Sequence, residues 1–234
     1  MKFLGENQFL DADSAEDTAT ATELLTQQLD AAYQRLKLLP ATGASMERAE
    51  LQLKIGAILV DLERGEEAFD IAKQAFDAFV EQHIWESAVQ ACDVMFQAEQ
   101  TDSLAALGQG VWLAVTFPVN AELTVNMLSH IIDETPNDSD GAAVAGTVAR
   151  YVVDLRTEGK QHDDMMFFTN NLLGTVARRH SGVESQEQFD YWVEKLELND
   201  PAKFLPRLRN IVDVLVQDNW WVDRDAIWAS LPNQ

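Results

Sequence analysis

Cysteine is all but missing from this chain. Cys92 stands alone among 234 residues, so no disulfide can form within the molecule, and the expected setting is a reducing compartment, most simply the cytoplasm. Long apolar runs are missing too: nowhere do about 18 apolar residues follow one another, so no membrane span is expected. The opening MKFLGENQFLDADSAED lacks the sustained apolar stretch of a secretory leader. Basic charge is scarce. Seventeen Lys and Arg face 39 Asp and Glu, for a formal net charge of −22, and no Lys or Arg occurs from Gln74 to Ala149. Phosphate backbones and anionic membrane surfaces need cations at the contact, so neither nucleic acid nor membrane is expected as a partner. Stretches of alternating, β-branched character are also lacking, and strands are not needed.

What is present is a normal apolar fraction, 47%, arranged at helical spacing. SerX-X-Asp at Ser14 and Asp17 reads as a cap leading into TATATELLTQQLDAAYQRLKLL, whose Leu24, Leu25, Leu29, Ala32 and Leu36 fall on one face. Pro40 and Gly43 end it. MERAELQLKIGAILVDLER, EEAFDIAKQAFDAFVEQ, WESAVQACDVMFQAEQ and DSLAALGQGVWLAVTF follow as helices, then AELTVNMLSHIIDE capped by Asn120. TPNDSDG is the clearest break. Beyond it lie AAVAGTVARYVVDLRT, DDMMFFTNNLLGTVARR, SQEQFDYWVEKLEL and DPAKFLPRLRNIVDVLVQ, the last opened by Asp200 and Pro201. Pro206 is expected to limit or kink its first turns. The fold class is all-α, with an acidic flexible arm over 1–13, an N-terminal helical repeat-like region over 14–134, and a C-terminal helical region over 142–234 packed on it. Together they read as one continuous domain.

The stretch IGAILVDLERGEEAFDIAKQAF places small residues at Gly56, Ala68 and Ala75, and Ala91, Ser103 and Gly110 repeat those separations 35 residues on. Helix axes approach to about 8 Å only where crossing side chains are short. The pattern resembles the tetratricopeptide repeat, a helix-turn-helix unit stacked in layers. The resemblance covers about residues 49–118, and steps of 34 or 35 residues find no third copy. It departs from the family at Gln52 and Ser87, where an aromatic is usual, and at Gly65, two residues late for the turn glycine. It implies antiparallel helix pairs stacked as a short array, capped by the C-terminal half. It further implies an inner face lined by the first helix of each pair: Glu50, Leu53, Ala57, Val60 and Asp61, then Trp85, Ala88, Cys92, Met95 and Phe96. That face reads as mostly apolar, to be covered by the chain's own helices or by a partner's amphipathic helix. The first cover is the expected one.

Residues for catalysis or metal binding do not assemble. His83, His130, His162 and His180 have no paired spacing, and Cys92 sits in an apolar run as a packing residue. PNDSDG would put Pro136 and Thr147 at the first and last ligand positions of a calcium loop, which fails. GTVARYVV and GQGVW lack the Lys-Ser/Thr of a phosphate loop. No cofactor is called for.

The functional expectation is therefore a non-catalytic protein–protein interaction module, an acidic helical scaffold or adaptor. Its partner is another protein with a basic or amphipathic helical surface, steered in by the acidic field. General solubility or a salty cytoplasm accounts for the same acidity. Candidate partner-binding residues are Trp85, Met95, Phe96, Trp220 and Trp221; the two tryptophans of NWWVDRDAIW serve either as such anchors or to dock the final segment. Trp221 and Trp228 share a face only if helix extends over both. The alternative function is a helical-bundle enzyme or small-ligand carrier, with a pocket near MMFFTNNLL where Asn170 and Asn171 supply polar contacts. A structural subunit is a third reading.

Overall fold

The structure, a computed structural model, describes residues 7–40 and 43–230, with side chains described for 20–40 and 43–229. Every regular element among the described residues is a helix: α1 (Asn7–Leu38), α2 (Ser45–Asp61), α3 (Gly65–Glu81), α4 (Trp85–Gln97), α5 (Ser103–Thr116), α6 (Ala121–Glu134), α7 (Gly141–Arg156), α8 (Gly159–Ser181), α9 (Gln186–Lys195), α10 (Pro201–Val216) and α11 (Arg224–Ser230). The first helix begins at Asn7, upstream of the expected Ser14 cap, so residues 7–13 of the expected arm are helical. No Gly or Pro interrupts 7–38, so nothing in the local chemistry stops the helix at Ser14. Residues 1–6 of that arm lie outside the described residues. The helix α10 likewise continues through Pro206.

Helices α2/α3, α4/α5 and α6/α7 form three antiparallel pairs. The first helices α2, α4 and α6 lie side by side in one layer; α3 packs between α2 and α4, and α5 between α4 and α6. The turns explain the tight antiparallel return. Glu63, His83 and Glu99 each take the left-handed conformation (φ 57°, 57° and 54°) one residue after the helix cap. At two of these turns the closing bonds are Arg64 N–H to the Leu59 carbonyl and Ile84 N–H to the Phe79 carbonyl (2.8 and 2.9 Å), the six-to-one bond of a Schellman cap. At the third, a side chain is inserted: Gln100 N–H donates to Ser103 Oγ, which donates to the Met95 carbonyl (2.8 and 2.6 Å).

The left-handed residues Glu63 and Glu99 are 36 positions apart, not 35. At that period the first helices align in burial as well as in chemistry. Ile55, Ala91 and Met127 are buried, as are Gly56, Cys92 and Leu128, then Leu59, Met95 and Ile131; Glu50, Glu86 and Glu122 are exposed in register. The third pair is thus a third copy of the first helix, invisible at steps of 34 or 35. The link between α6 and α7 has six residues, against three between α2 and α3 and five between α4 and α5, which shifts whatever follows it.

The small residues do sit at helix crossings. A Cβ on Gly56 would meet Val94 Cγ1 at 3.1 Å and Ala72 Cβ at 3.4 Å, and one on Gly110 would meet Met127 Cε at 2.5 Å and Cys92 Cβ at 2.7 Å. Ala68, Ala75 and Ala91 are fully buried. Gly65 lets the α2/α3 turn press on the α4/α5 turn: a Cβ there would lie 2.2 Å from the Ala98 carbonyl oxygen.

Candidate interaction face

The two layers differ in what covers them. Helix α5, SLAALGQGVWLAVT, has no charged residue and is buried from Ala105 to Ala114; α7 is buried from Ala142 to Ala149. Helices with apolar residues all round must be covered on all sides, and the C-terminal half does this. The helix α10 packs on both α5 and α7. Gly108 of α5 makes room for it, since a Cβ there would lie 2.5 Å from Val216 Cγ2 and 3.0 Å from Leu215 Cβ.

The segment after α10 extends the cover. Trp221 packs edge-on against Phe76 and Phe69 of α3 (centroids 5.7 and 6.1 Å), and Trp220 against Trp112 of α5 (6.0 Å). Arg224 lies over the Trp220 ring at 3.8 Å and Lys73 over Trp221 at 5.1 Å. Polar bonds fix the register: Gln109, 0% exposed, accepts from Trp221 N–H at 2.7 Å, and Asn219 Nδ2 donates to Asp102 at 3.2 Å. Trp220 and Trp221 therefore hold the final segment to the second helices. They precede α11, so Trp221 and the exposed Trp228 share no helix face.

Among the described residues the first-helix layer has no such cover. Its exposed stripe is Glu47, Glu50, Lys54, Ala57 and Asp61 on α2; Glu86, Gln90 and Gln97 on α4; Glu122, Asn126 and Asp133 on α6. The expected self-filled apolar groove is thus corrected twice: the chain's own helices cover the other layer, and this face is polar and acidic. The reason is register. On α2 the expected inner residues Glu50, Ala57 and Asp61 are indeed exposed, with Leu53 and Val60 half-buried. Transferred at 35 residues instead of 36, the assignment on α4 is rotated by about 100°. It then falls on Ala88, Cys92 and Met95, all 0% exposed. Met95 is a core residue and offers nothing to a partner. Burial likewise pushes the Cys92 thiol pKa up, which leaves it an unreactive packing group.

Trp85 and Phe96 are half-buried at the edges of this face. Trp85 stacks between His83 and Phe117 (5.1 and 4.1 Å). Phe96 lies against His130 at 4.6 Å. His130 Nε2 is 2.8 Å from Asp93 Oδ1, and Asn126 Nδ2 donates to Asp93 Oδ2 at 3.2 Å, a polar link between α4 and α6 that the sequence reading missed. Its signal was available only at the correct period, which sets Asp93 and Ser129 in register beside His130.

Arg156, at the end of α7, was also missed. Its guanidinium donates to the Ala114, Val119 and Val115 carbonyls (2.9, 3.0 and 3.3 Å) and to Thr124 Oγ1 (3.2 Å). It satisfies the open end of α5, and burial lowers its pKa from the ordinary arginine value. The stretch MMFFTNNLL lies on α8, where Asn170 accepts from Arg150 Nε at 3.0 Å and lines an open surface cleft of about 480 Å³ with Gly174, Arg178 and Phe189. Among the described residues no group of three or more His, Cys, Asp or Glu is placed to hold a metal ion, and no helix is long and apolar enough to cross a membrane. No protein-family model matches the chain, and no curated protein or solved structure matches it either.

Proposed function

We propose that this chain is a non-catalytic interaction scaffold whose α2/α4/α6 face receives a basic surface of another protein. One observation carries the reading: Glu50, Glu86 and Glu122 recur every 36 residues on three adjacent helices and all are exposed, with Asp61 and Asp133 behind them. Lys54 is the one cation in the exposed stripe of these three helices. The spacing repeats a carboxylate once per layer, so a partner helix laid across the layers meets one with each crossing. Such a face gives fast, charge-steered encounter and specificity against acidic surfaces. The antiparallel pairs and their small-residue crossings support kinship with tetratricopeptide-type stacks, which present extended faces to partners in this way.

The test is capture from native extract with the wild-type chain and with the triple variant Glu50→Lys, Asp61→Lys, Asp133→Lys. A protein held by the wild type, released by added salt and lost by the variant supports the proposal. An identical set held by both chains overturns it.

A further inference from the structure

Among the described residues the face of α8 turned away from α7 is open, flanked at its C-terminal end by residues 183–189. Packing on α7 buries Thr169, Leu173, Val176 and Ala177, whereas Phe167 and Phe168 on the opposite side are 72% and 53% exposed. Two adjacent phenylalanines this exposed call for a cover. The residues around them are exposed in a four-three pattern: Gln161, Asp164, Phe168, Asn171, Thr175 and Arg178. These positions share one face of α8 and form the seam that a helix laid lengthwise on it would meet.

We infer that this seam pairs α8 with α8 of a second copy of the chain, antiparallel about a two-fold axis at Asn171. The arrangement is self-complementary about that residue. Asp164 and Arg178 lie seven positions to either side, about 10 Å along the axis, so each carboxylate meets the partner's guanidinium. Phe167, four positions before Asn171, and Gly174, three after it, lie on the same edge of the seam, so each Phe167 ring enters the space over a glycine. That space exists: a Cβ on Gly174 would find only Arg178 Nη2 within 4 Å, at 3.7 Å. Phe168 and Thr175 likewise meet along the other edge. Asn171 meets its own copy, the arrangement by which a single polar seam residue fixes helix register.

Charge selects this occupant. Two copies of a chain at −22 repel each other over most of their surfaces. Helix α8 carries three cations (Lys160, Arg178, Arg179) against two carboxylates (Asp163, Asp164). Arg178 and Asp164 form no ion pair among the described residues, although the chain is rich in acids. Since one helix face is smaller than the roughly 800 Å² per partner of a standard interface, association is expected in the micromolar range.

Sedimentation of the full chain from about 1 to about 200 μM, a span suited to an interface below standard size, tests the inference. A monomer–dimer equilibrium is expected for the wild type. Phe168→Asp is expected to leave only monomer, with the helical circular dichroism unchanged. Asp164→Arg and Arg178→Asp, each of which sets like charges opposite, are expected to weaken association at least about tenfold, the scale of 1.4 kcal/mol. Combining the two restores it. A wild type that stays monomeric overturns the inference and assigns the face to another molecule. A Phe168→Asp dimer of undiminished strength overturns it too, as does a double exchange that fails to rescue.

Discussion

The two faces of this helical array are built from neighbouring helices of similar length, yet one is sealed and the other open. On the second-helix side, α5 and α7 are apolar over most of their circumference and receive α10, Trp220 and Trp221. On the first-helix side, the same depth of burial stops at a stripe of carboxylates repeated at each layer. The lesson is that a helix pair in a stack has two separate surfaces to dispose of. Here the chain spends its own C-terminal half on the surface that water tolerates least.

Substitutions on either side sharpen that contrast. The largest effect is expected at Phe76, fully buried and under Trp221: Phe76→Ala should cost about 3–5 kcal/mol, read as a lowered midpoint in urea. A loss below about 1 kcal/mol would mean that the C-terminal cover contributes little there. Arg156→Met leaves the α5 carbonyls without their donor, and a cost of about 1–3 kcal/mol is expected by thermal unfolding.

Cys92 adds a pH component of definite sign. Burial raises its pKa above that of the unfolded thiol, so the folded state holds a proton that the unfolded chain releases above about pH 8.5. Stability from this source is complete below that pH and declines as the pH rises, by up to about 1.4 kcal/mol per unit. The difference between wild type and Cys92→Ala across pH 7 to pH 10 measures it; a flat difference would mean the thiol is not held protonated. The smallest effect belongs to the open face, where Glu50→Lys, Asp61→Lys and Asp133→Lys together should alter stability by only about 0.5 kcal/mol per site or less. Should that triple variant unfold the chain, the open face is structural and the comparison fails.

The helical class, most helix boundaries and the crossing role of Gly56 and Gly110 were legible in the sequence, because short side chains and caps act locally. Asn120 and Asp200 cap α6 and α10 as their types demand, with side-chain oxygens accepting from Glu122 N–H and Ala202 N–H. What was not legible depends on register and on distant segments. The small-residue pattern aligned at 35 residues, but the backbone repeats at 36 because the left-handed turn positions are Glu63 and Glu99, residues with no glycine signature. A single position turned α4 onto its core side and put Met95 among the exposed residues. The choice between docking and partner anchoring for Trp220 and Trp221 rests on Phe76, Gln109 and Trp112, more than a hundred positions away, and no local pattern reports that meeting.

The bond from Trp221 N–H to Gln109 spans 112 residues. During synthesis at about 5–20 residues per second, the greasy back of α5 emerges on the order of ten seconds before the strap that shelters it. Nascent chains of this protein therefore pass through a sticky interval on every ribosome. Shortening that delay by relocating the final segment, through circular permutation, should raise the yield of correctly folded product.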